Sequence, residues 1–317
     1  MSPARATWPL PAVYDFSETT RLLRTGSGDP TVRRFEDGLW RTMRTADGPA
    51  TVRLEVEGEL RAEAWGPGAE RALGDVPAWV GLEEPAWELP PHPVTDRLLR
   101  EHPGLRGNDT RDLFEALVVV TLQQLVTWEE AAANWRRMCA ELGEEAPGPE
   151  GLRLAPEPRT LRRVGPERLR ELGVRLPQAR TIVELAKVAH ALPAVAALST
   201  AEALAKLRTI PGVGPWTAAL ALGLRCARPE PVPVGDVHLP NTVAWVLAGE
   251  ERADDARMLE LLRPFEGHAF RVLRLIGAAR LEAPRRGPKR PWRKGVGGGG
   301  VGGGGGRPRR GGGPRGR

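Results

Sequence analysis

Residues 207–245 constrain the fold more than any other part of the sequence. An amphipathic segment ends near Arg208 and runs into Ile-Pro-Gly-Val-Gly, after which a helix is predicted to begin at Pro215 or Trp216. Glycine tolerates positive φ angles and lets another backbone approach closely. Proline suits the first helical position, because its missing N–H would be unpaired there. The pattern therefore predicts two helices joined by a tight glycine turn.

The backbone of this turn is suited to binding an anion, and a single acidic residue follows it in the sequence. The backbone N–H groups of Gly212, Gly214 and the next helix's first turn are free to bind an anion. Asp236 lies 22 residues after Gly214, in the segment Val-Pro-Val-Gly-Asp-Val-His before another apolar helix. A lone Asp in such a place is usually a helix cap. The combination instead suggests chemistry on a phosphate-bearing polymer, and both interpretations stay open here.

Charge is distributed unevenly along the chain. The 317 residues carry 46 Lys and Arg against 40 Asp and Glu, a net charge of +6. Eleven of the basic residues and none of the acids lie in residues 284–317, which leaves 35 basic and 40 acidic residues and a net charge of −5 elsewhere. A nucleic-acid surface on this acidic body must be a local patch. The Gly/Arg-rich tail is predicted to be disordered, and it either attracts phosphate backbones or is a nonessential extension.

Residues 1–88 are predicted to form a small α+β domain. Residues 50–65 alternate apolar with polar side chains, which indicates two half-buried strands with a turn at Gly58. Asp47-Gly48 is a hairpin signal before them. Further strands are expected at residues 13–16 and 38–44, and helices at 17–23 and 69–73.

Residues 89–283 are predicted to form a helical domain after a proline-rich linker at residues 85–93. Residues 112–125 are apolar nearly all round, which is typical of a helix in the middle of a domain. No segment approaches the roughly 20 apolar residues of a membrane span. Cys139 and Cys226 are too far apart for a zinc or iron–sulfur ligand set. A cytoplasmic, nucleoid-associated monomer is expected.

The turn with its Asp resembles the helix-hairpin-helix DNA glycosylase superfamily, in which one invariant catalytic Asp follows the hairpin at this distance. Upstream, Leu-Gln-Gln-Leu-Val-Thr at residues 122–127 resembles the Q-x-V-[ST] segment of that superfamily. Downstream, Arg-Pro-Phe-Glu-Gly-His-Ala at residues 263–269 resembles the P-[WF]-R-x-x-A stretch of the DNA-3-methyladenine glycosylase II type. The resemblance covers about residues 10–283. It implies a two-lobed, mainly α core behind the α+β domain.

The resemblance also implies roles for individual residues. Asp236 would be catalytic, and Leu125 would wedge into the DNA stack, whereas without the resemblance Leu125 would be taken as core. Bifunctional members carry a nucleophilic Lys at the position of Trp216, so the enzyme is expected to lack lyase activity. No metal is predicted with certainty, although a monovalent cation at the hairpin backbone is an open option. The predicted pocket residues are Trp216, Leu220 and Val237, and the predicted DNA-binding residues are Gly212, Val213, Gly214, Thr217, Gln124 and Leu125.

The resulting hypothesis is a monofunctional DNA glycosylase for alkylated bases of the 3-methyladenine type, acting in base excision repair. It would need no cofactor, and its partner would be double-stranded DNA with damaged bases. The pocket has fewer aromatic residues than the resemblance leads one to expect, with Arg274 where a Trp would be looked for. Two alternatives remain: a non-catalytic DNA-binding protein in which Asp236 is only a cap, and a glycosylase for oxidised or deaminated bases.

Overall fold

Five antiparallel strands form a sheet at the start of the chain, in a computed structural model that describes residues 2–284. The order in the sheet is β1-β5-β4-β3-β2, so β1 and β2 are its edges. The tail predicted at residues 284–317 lies outside the described residues apart from its first position. The strands are β1 (Ala4–Trp8), β2 (Val32–Phe35), β3 (Gly38–Thr45), β4 (Gly48–Glu57) and β5 (Glu59–Trp65).

The alternation in residues 50–65 does form the predicted strand pair. Val52 and Leu54 of β4 face Ala64 and Ala62 of β5, and all four side chains are buried. They pack against the helix α2 (Ala69–Trp79), which covers this face of the sheet. Burying one side of each strand in this way is what the period of two in the sequence predicts.

The strand predicted at residues 13–16 is wrong. Asp15 accepts a hydrogen bond from the Glu18 N–H at 2.8 Å and caps the helix α1 (Phe16–Thr20), which continues into a 3₁₀ turn at Arg21–Leu23. The local capping bond competes with the extended conformation and wins. The edge strands β1 and β2 were not predicted: β1 alternates apolar and polar residues over only five positions, and β2 shows no alternation.

All the regular elements after α2 are helical. Ser199 and Glu202 form a capping box at the start of α9, and Pro215 opens α10, so both helices that flank the glycine turn have local start signals. The helices are α3 (Pro93–Glu101), α4 (Leu113–Thr121), α5 (Trp128–Leu142), α6 (Pro158–Glu171, broken at Gly165), α7 (Leu176–Val188), α8 (Leu192–Ala196), α9 (Thr200–Leu207), α10 (Pro215–Arg225), α11 (Leu239–Ala248), α12 (Asp255–Leu262) and α13 (Ala269–Ala278).

The helices are arranged in two lobes, each with its own apolar core. In the larger lobe, α4 lies at the centre and is buried except at Phe114, as its apolar sequence predicts. The second lobe is built from α3 and α11–α13 around Val243, Met258 and Phe265. The mainly α fold class with a small sheet before it is therefore confirmed. No helix between residues 2 and 284 has the length and apolarity needed to cross a bilayer.

The described residues up to Ala283 form one compact unit, so the predicted domain boundary at residue 88 stays a prediction.

Buried charges join the sheet to the larger lobe. Arg41 of β3 and Arg225 of α10 each approach Glu115 Oε1 of α4 at 3.6 Å, and Arg41 also lies 4.9 Å from the centre of the Trp79 ring. These contacts offset part of the cost of burying the charges.

Asp112 sits beside this cluster as the N-cap of α4, and it gives the protein a pH-dependent stability. Burial raises the pKa of Asp112 to about 6, and the neighbouring Glu115 carboxylate adds to the rise. Since the folded-state pKa lies above the ordinary value of 3.8, Asp112 contributes stability that is fully present below about pH 3.8 and is lost as the pH rises through about 6.

We predict that Asp112→Asn removes this decline, because Asn keeps the capping oxygen that accepts the Glu115 N–H at 2.8 Å but never ionises. Urea unfolding between pH 4 and 8 would show the variant gaining stability relative to wild type as the pH increases. Asp254→Asn makes the same change at the exposed cap of α12 and is the matched control for the substitution itself. A constant difference between Asp112→Asn and wild type would contradict the prediction.

Candidate nucleic-acid interface and active site

The glycine turn between α9 and α10 has two glycines with different roles. Gly212 has a φ of +83° and is packed against α7, so that an added Cβ would lie 1.8 Å from Thr181 Oγ1. Gly214 has an ordinary φ of −88° as the N-cap of α10, and a Cβ there would meet no atom within 4 Å. Gly212 is therefore needed for the turn itself, whereas Gly214 leaves open space in front of the helix N-terminus.

The turn presents unpaired amides toward that space. Within residues 2–284, the N–H groups of Gly212 and Gly214 donate to no other group. The N–H of Val213 donates to the Ile210 carbonyl at 3.0 Å inside the turn, and its side chain is buried. Free amides at the positive end of α10 are suited to holding a phosphate. Val213 therefore contributes to packing and not to anion binding, because its amide already donates within the turn.

Gln124 connects this turn to the predicted wedge. Its Nε2 donates to the Gly212 carbonyl at 3.1 Å and to the Thr217 Oγ1 at 2.8 Å, and Thr217 is buried. Gln178 of α7 in turn donates to the carbonyls of Gln124 at 2.7 Å and Leu122 at 3.1 Å. Thr217 is thus placed behind the surface and Gln124 is half-buried beside it, and together they fix the turn and the loop at 122–126 relative to each other.

Leu125 is presented by this fixed loop. Its side chain is 82% exposed, and its φ of +57° is a conformation that residues other than glycine seldom adopt. The interpretation of Leu125 as a core residue is therefore wrong. Strain of this kind persists only where the surrounding structure imposes it, and here Gln178 and Gln124 do so.

The carboxylate of Asp236 is held by three N–H donors. Its Oδ1 accepts the amides of His238 and Leu239, each at 2.8 Å, at the start of α11. Its Oδ2 accepts the indole Nε1–H of Trp216, from the first turn of α10, at 2.8 Å. The capping interpretation of Asp236 is correct but incomplete, because the bond from Trp216 ties the second oxygen to the hairpin.

Asp236 lines a cleft of about 430 Å³ between the two lobes. Leu220, one of the three predicted pocket residues, lines this cleft. Trp216 and Val237 are not among its lining residues: Trp216 lies behind Asp236, and Val237 is 74% exposed. The remaining lining residues come mostly from α10, α11 and α13 and include Leu224, Leu239, Phe270, Leu273 and Arg274.

Several cleft residues were missed by the sequence analysis. Arg21 enters from the 3₁₀ turn near the start of the chain, and Arg280 from beyond α13. Both donate to Glu18, at 2.7 and 3.0 Å. No local sequence pattern indicates that two residues 259 positions apart lie close together in the fold. Phe270 could have been found, since it lies one helical turn before Arg274 on the same face of α13.

We predict different consequences of a methyl group at the two hairpin glycines. Gly212→Ala should lower the free energy of unfolding by about 1–3 kcal/mol, because it adds a clash with Thr181 and an unfavourable φ. Gly214→Ala should change stability by less than about 0.5 kcal/mol yet weaken duplex DNA binding roughly tenfold, because it fills the space before the free amides. Urea denaturation and fluorescence anisotropy measure the two effects. Unaltered DNA binding by Gly214→Ala would contradict the assignment of this surface.

The chain is similar to known DNA repair proteins. The model of the "HhH-GPD superfamily base excision DNA repair protein" family matches residues 118–266. DNA-3-methyladenine glycosylase 2 of Escherichia coli (strain K12) is 34% identical over 124 residues, which are 38% of this chain and 44% of that protein. The chain therefore matches less than half the length of this relative.

Solved structures share the fold at low sequence identity. The 3-methyladenine DNA-glycosylase from Archaeoglobus fulgidus has a TM-score of 0.72 at 19% identity, over 86% of this chain and 97% of that one. MBOgg1 in complex with a low-affinity DNA ligand has a TM-score of 0.67 at 17% identity, over 87% and 97%. The Clostridium acetobutylicum 8-oxoguanine glycosylase/lyase bound to double-stranded DNA has a TM-score of 0.61 at 13% identity, over 78% and 96%. Residues 118–266 are therefore similar to the HhH-GPD superfamily of base excision DNA repair proteins, and the described residues share the fold of the solved DNA glycosylases.

Proposed function

We propose that the protein is a monofunctional DNA glycosylase, which hydrolyses the N-glycosidic bond of alkylated bases in duplex DNA. The observation that carries this proposal is the position of Asp236. Its carboxylate is fixed by three N–H donors, lines a cleft with mainly apolar walls, and lies directly behind a hairpin with unpaired amides. A plain helix cap requires neither the indole bond nor the cleft.

The hairpin and Leu125 would act on the DNA before any chemistry. A base within a duplex cannot reach a cleft, so the nucleotide must leave the stack at a cost of a few kcal/mol. The amides of Gly212 and Gly214 would hold a backbone phosphate near the extruded nucleotide. The exposed side chain of Leu125 would fill the vacated position and offset part of the unstacking cost.

Asp236 would stabilise the positive charge that develops on the sugar. As the bond from C1′ to the base nitrogen breaks, its electron pair leaves with the base and the sugar becomes oxocarbenium-like. A preorganised carboxylate stabilises such a cation without having to reorganise. Water then adds to C1′ and gives up a proton. An N-alkylated purine leaves as a neutral molecule, so no second acid is needed.

The absence of a lyase step is supported by residue types. Bifunctional members of the superfamily that the sequence resembles carry a nucleophilic Lys at this position. This chain has Trp216 there, and its indole donates to Asp236. Only two lysines, Lys187 and Lys206, precede residue 285 in the sequence, and neither lines the Asp236 cleft. The preference for alkylated bases is supported by the names of the Escherichia coli and Archaeoglobus fulgidus proteins that this chain resembles.

We predict that wild type releases free base from a duplex treated with a methylating agent, and that strand breaks appear only after alkali. Asp236→Asn should reduce release at least about a hundredfold, because the charge that stabilises the transition state is lost. Binding to an abasic-site duplex should change little, since Gly212 and Gly214 are unaltered. Chromatography of released bases and gel analysis of strands measure both steps.

Asp254→Asn is the matched control, because it makes the same change at a helix cap that does not line the cleft. The proposal fails if wild type binds duplex DNA without releasing any base, or if Asp236→Asn releases base at the wild-type rate. Strand cleavage without alkali, or a covalent adduct trapped by borohydride, would overturn the monofunctional assignment alone.

A further inference from the structure

The turn at residues 24–29, the docked turn, packs against the start of α5, which begins three residues after the proposed wedge. Gly26 has a φ of +78°, and an added Cβ there would clash with Ala132 of α5. The Arg136 guanidinium donates to the Ser27 carbonyl at 2.7 Å. The docked turn is therefore held against the first three turns of this helix.

A buried carboxylate closes the docked turn from inside. Asp29 is only 5% exposed, and its Oδ2 accepts the Thr25 amide at 2.6 Å. Its Oδ1 accepts the indole N–H of Trp135, from α5, at 3.0 Å. The main chain next to Arg24 is thus fixed relative to α5, whereas the side chain of Arg24 is exposed.

Arg24 is a cation without a partner in the part of the chain that the structure describes. Its guanidinium makes no hydrogen bond and no ion pair there. Arg34 lies nearby, and burial, with a further contribution from the charge of Arg24, lowers the pKa of Arg34 below its ordinary value. Like charges held close together repel each other, and a bound anion would relieve this repulsion.

Arg24 lies between the cleft and the wedge. Leu22 lines the cleft, and Gly26 lies beside the indole of Trp128. Two residues of chain span at most about 7 Å, so the Cα of Arg24 is within that distance of both Leu22 and Gly26. Leu125 and Trp128 are two of the six large hydrophobic residues that are exposed between residues 2 and 284. An unpaired cation beside exposed apolar side chains is suited to binding nucleic acid.

The nearby carboxylates do not neutralise Arg24. Glu18 pairs with two arginines of the cleft, and Glu130 approaches Arg175 at 3.8 Å. Glu129 lies about 100° around α5 from Trp128, on another face of the helix. The surface of the docked turn is therefore locally positive, although residues 1–283 carry a net charge of −5.

We propose that Arg24 binds a phosphate of the duplex backbone on the side of Leu125 remote from the hairpin, so that two backbone contacts bracket the wedge. Gln124 ties the wedge loop to the hairpin at Gly212, and the start of α5 ties it to the docked turn. A duplex held on both sides of an inserted side chain resists closure of the stack. This inference rests on the proposed function, because it requires the hairpin to hold DNA.

Arg24 also supplies a formal charge that the hairpin does not have. The amides of Gly212 and Gly214 carry only partial positive charges. An acidic body repels DNA, and a local cation at the interface offsets this repulsion during approach. Arg24 would therefore contribute to affinity mainly through electrostatic attraction, which depends on the salt concentration.

The salt dependence of binding to an abasic-site duplex tests this contribution. Arg24→Gln should weaken binding about fivefold to tenfold at about 0.1 M salt, and it should reduce the slope of log affinity against log salt by about 0.9. Arg24→Lys keeps the charge and should keep the slope. Arg71→Gln is the matched control, because it removes one positive charge on α2, where Arg71 pairs with Asp47. Its affinity should stay within about twofold of wild type.

Single phosphates replaced by neutral methylphosphonates locate the contact. One linkage should weaken binding by wild type when it is neutralised, yet have no further effect on Arg24→Gln. A different linkage should behave in this way with Gly214→Ala. Scanning both strands identifies the two linkages, and fluorescence anisotropy measures the affinities. Both Arg24 variants should fold, since Arg24 is exposed and unpaired, and melting temperatures check this.

An unchanged salt slope in Arg24→Gln would overturn the inference. So would the absence of any linkage that depends on Arg24, or its identity with the linkage that depends on Gly214. In these cases a hairpin linkage found with Gly214→Ala, together with base release by wild type, leaves the proposed function intact. Wild type that binds no duplex, or binds it without releasing base, would refute the proposed function itself.

Discussion

The hydrogen bond from Trp216 to Asp236 joins the parts of the molecule on which the proposed activity depends. Trp216 lies in the first turn of α10, and Asp236 lies just before α11 of the second lobe, so one 2.8 Å bond links the two lobes beside the cleft. The other oxygen of Asp236 is fixed by the α11 amides. A carboxylate restrained at both oxygens is preorganised, and preorganisation is what makes a single charge effective in catalysis.

A second network, built on side-chain amide groups, fixes the surface that is proposed to face the DNA. Gln178 holds the main chain at Gln124, and Gln124 holds the carbonyl of Gly212, so the wedge loop and the hairpin are positioned together. The strained, exposed conformation of Leu125 is sustained by these bonds. A phosphate bound at the hairpin and a side chain inserted into the stack would then lie at a fixed spacing, which extrusion of one particular nucleotide requires.

The sequence predicts those features that have a local cause. The start of α10 at Pro215 follows from proline's missing N–H, and the burial of α4 from its apolar sequence. The predicted strand at residues 13–16 failed, because a cap formed by Asp15 outweighs the β propensity of that segment. The cleft could be predicted only in part, because Arg21 and Arg280 come from opposite ends of the fold. The indole bond of Trp216 and the contact between Ser27 and Arg136 likewise depend on tertiary packing.

Asp236 is proposed to act as a carboxylate that Trp216 orients, and Trp216→Phe separates this orientation from DNA binding. This change keeps an aromatic ring at position 216 but removes the N–H that donates to Asp236 Oδ2. Loss of a hydrogen bond to a charged group, about 1.5–3 kcal/mol, should slow single-turnover base release by about tenfold to a hundredfold. The affinity for duplex DNA should stay within about twofold of wild type, since the hairpin amides are untouched. Base release at the wild-type rate, or a loss fully explained by weaker DNA binding, would contradict the claim.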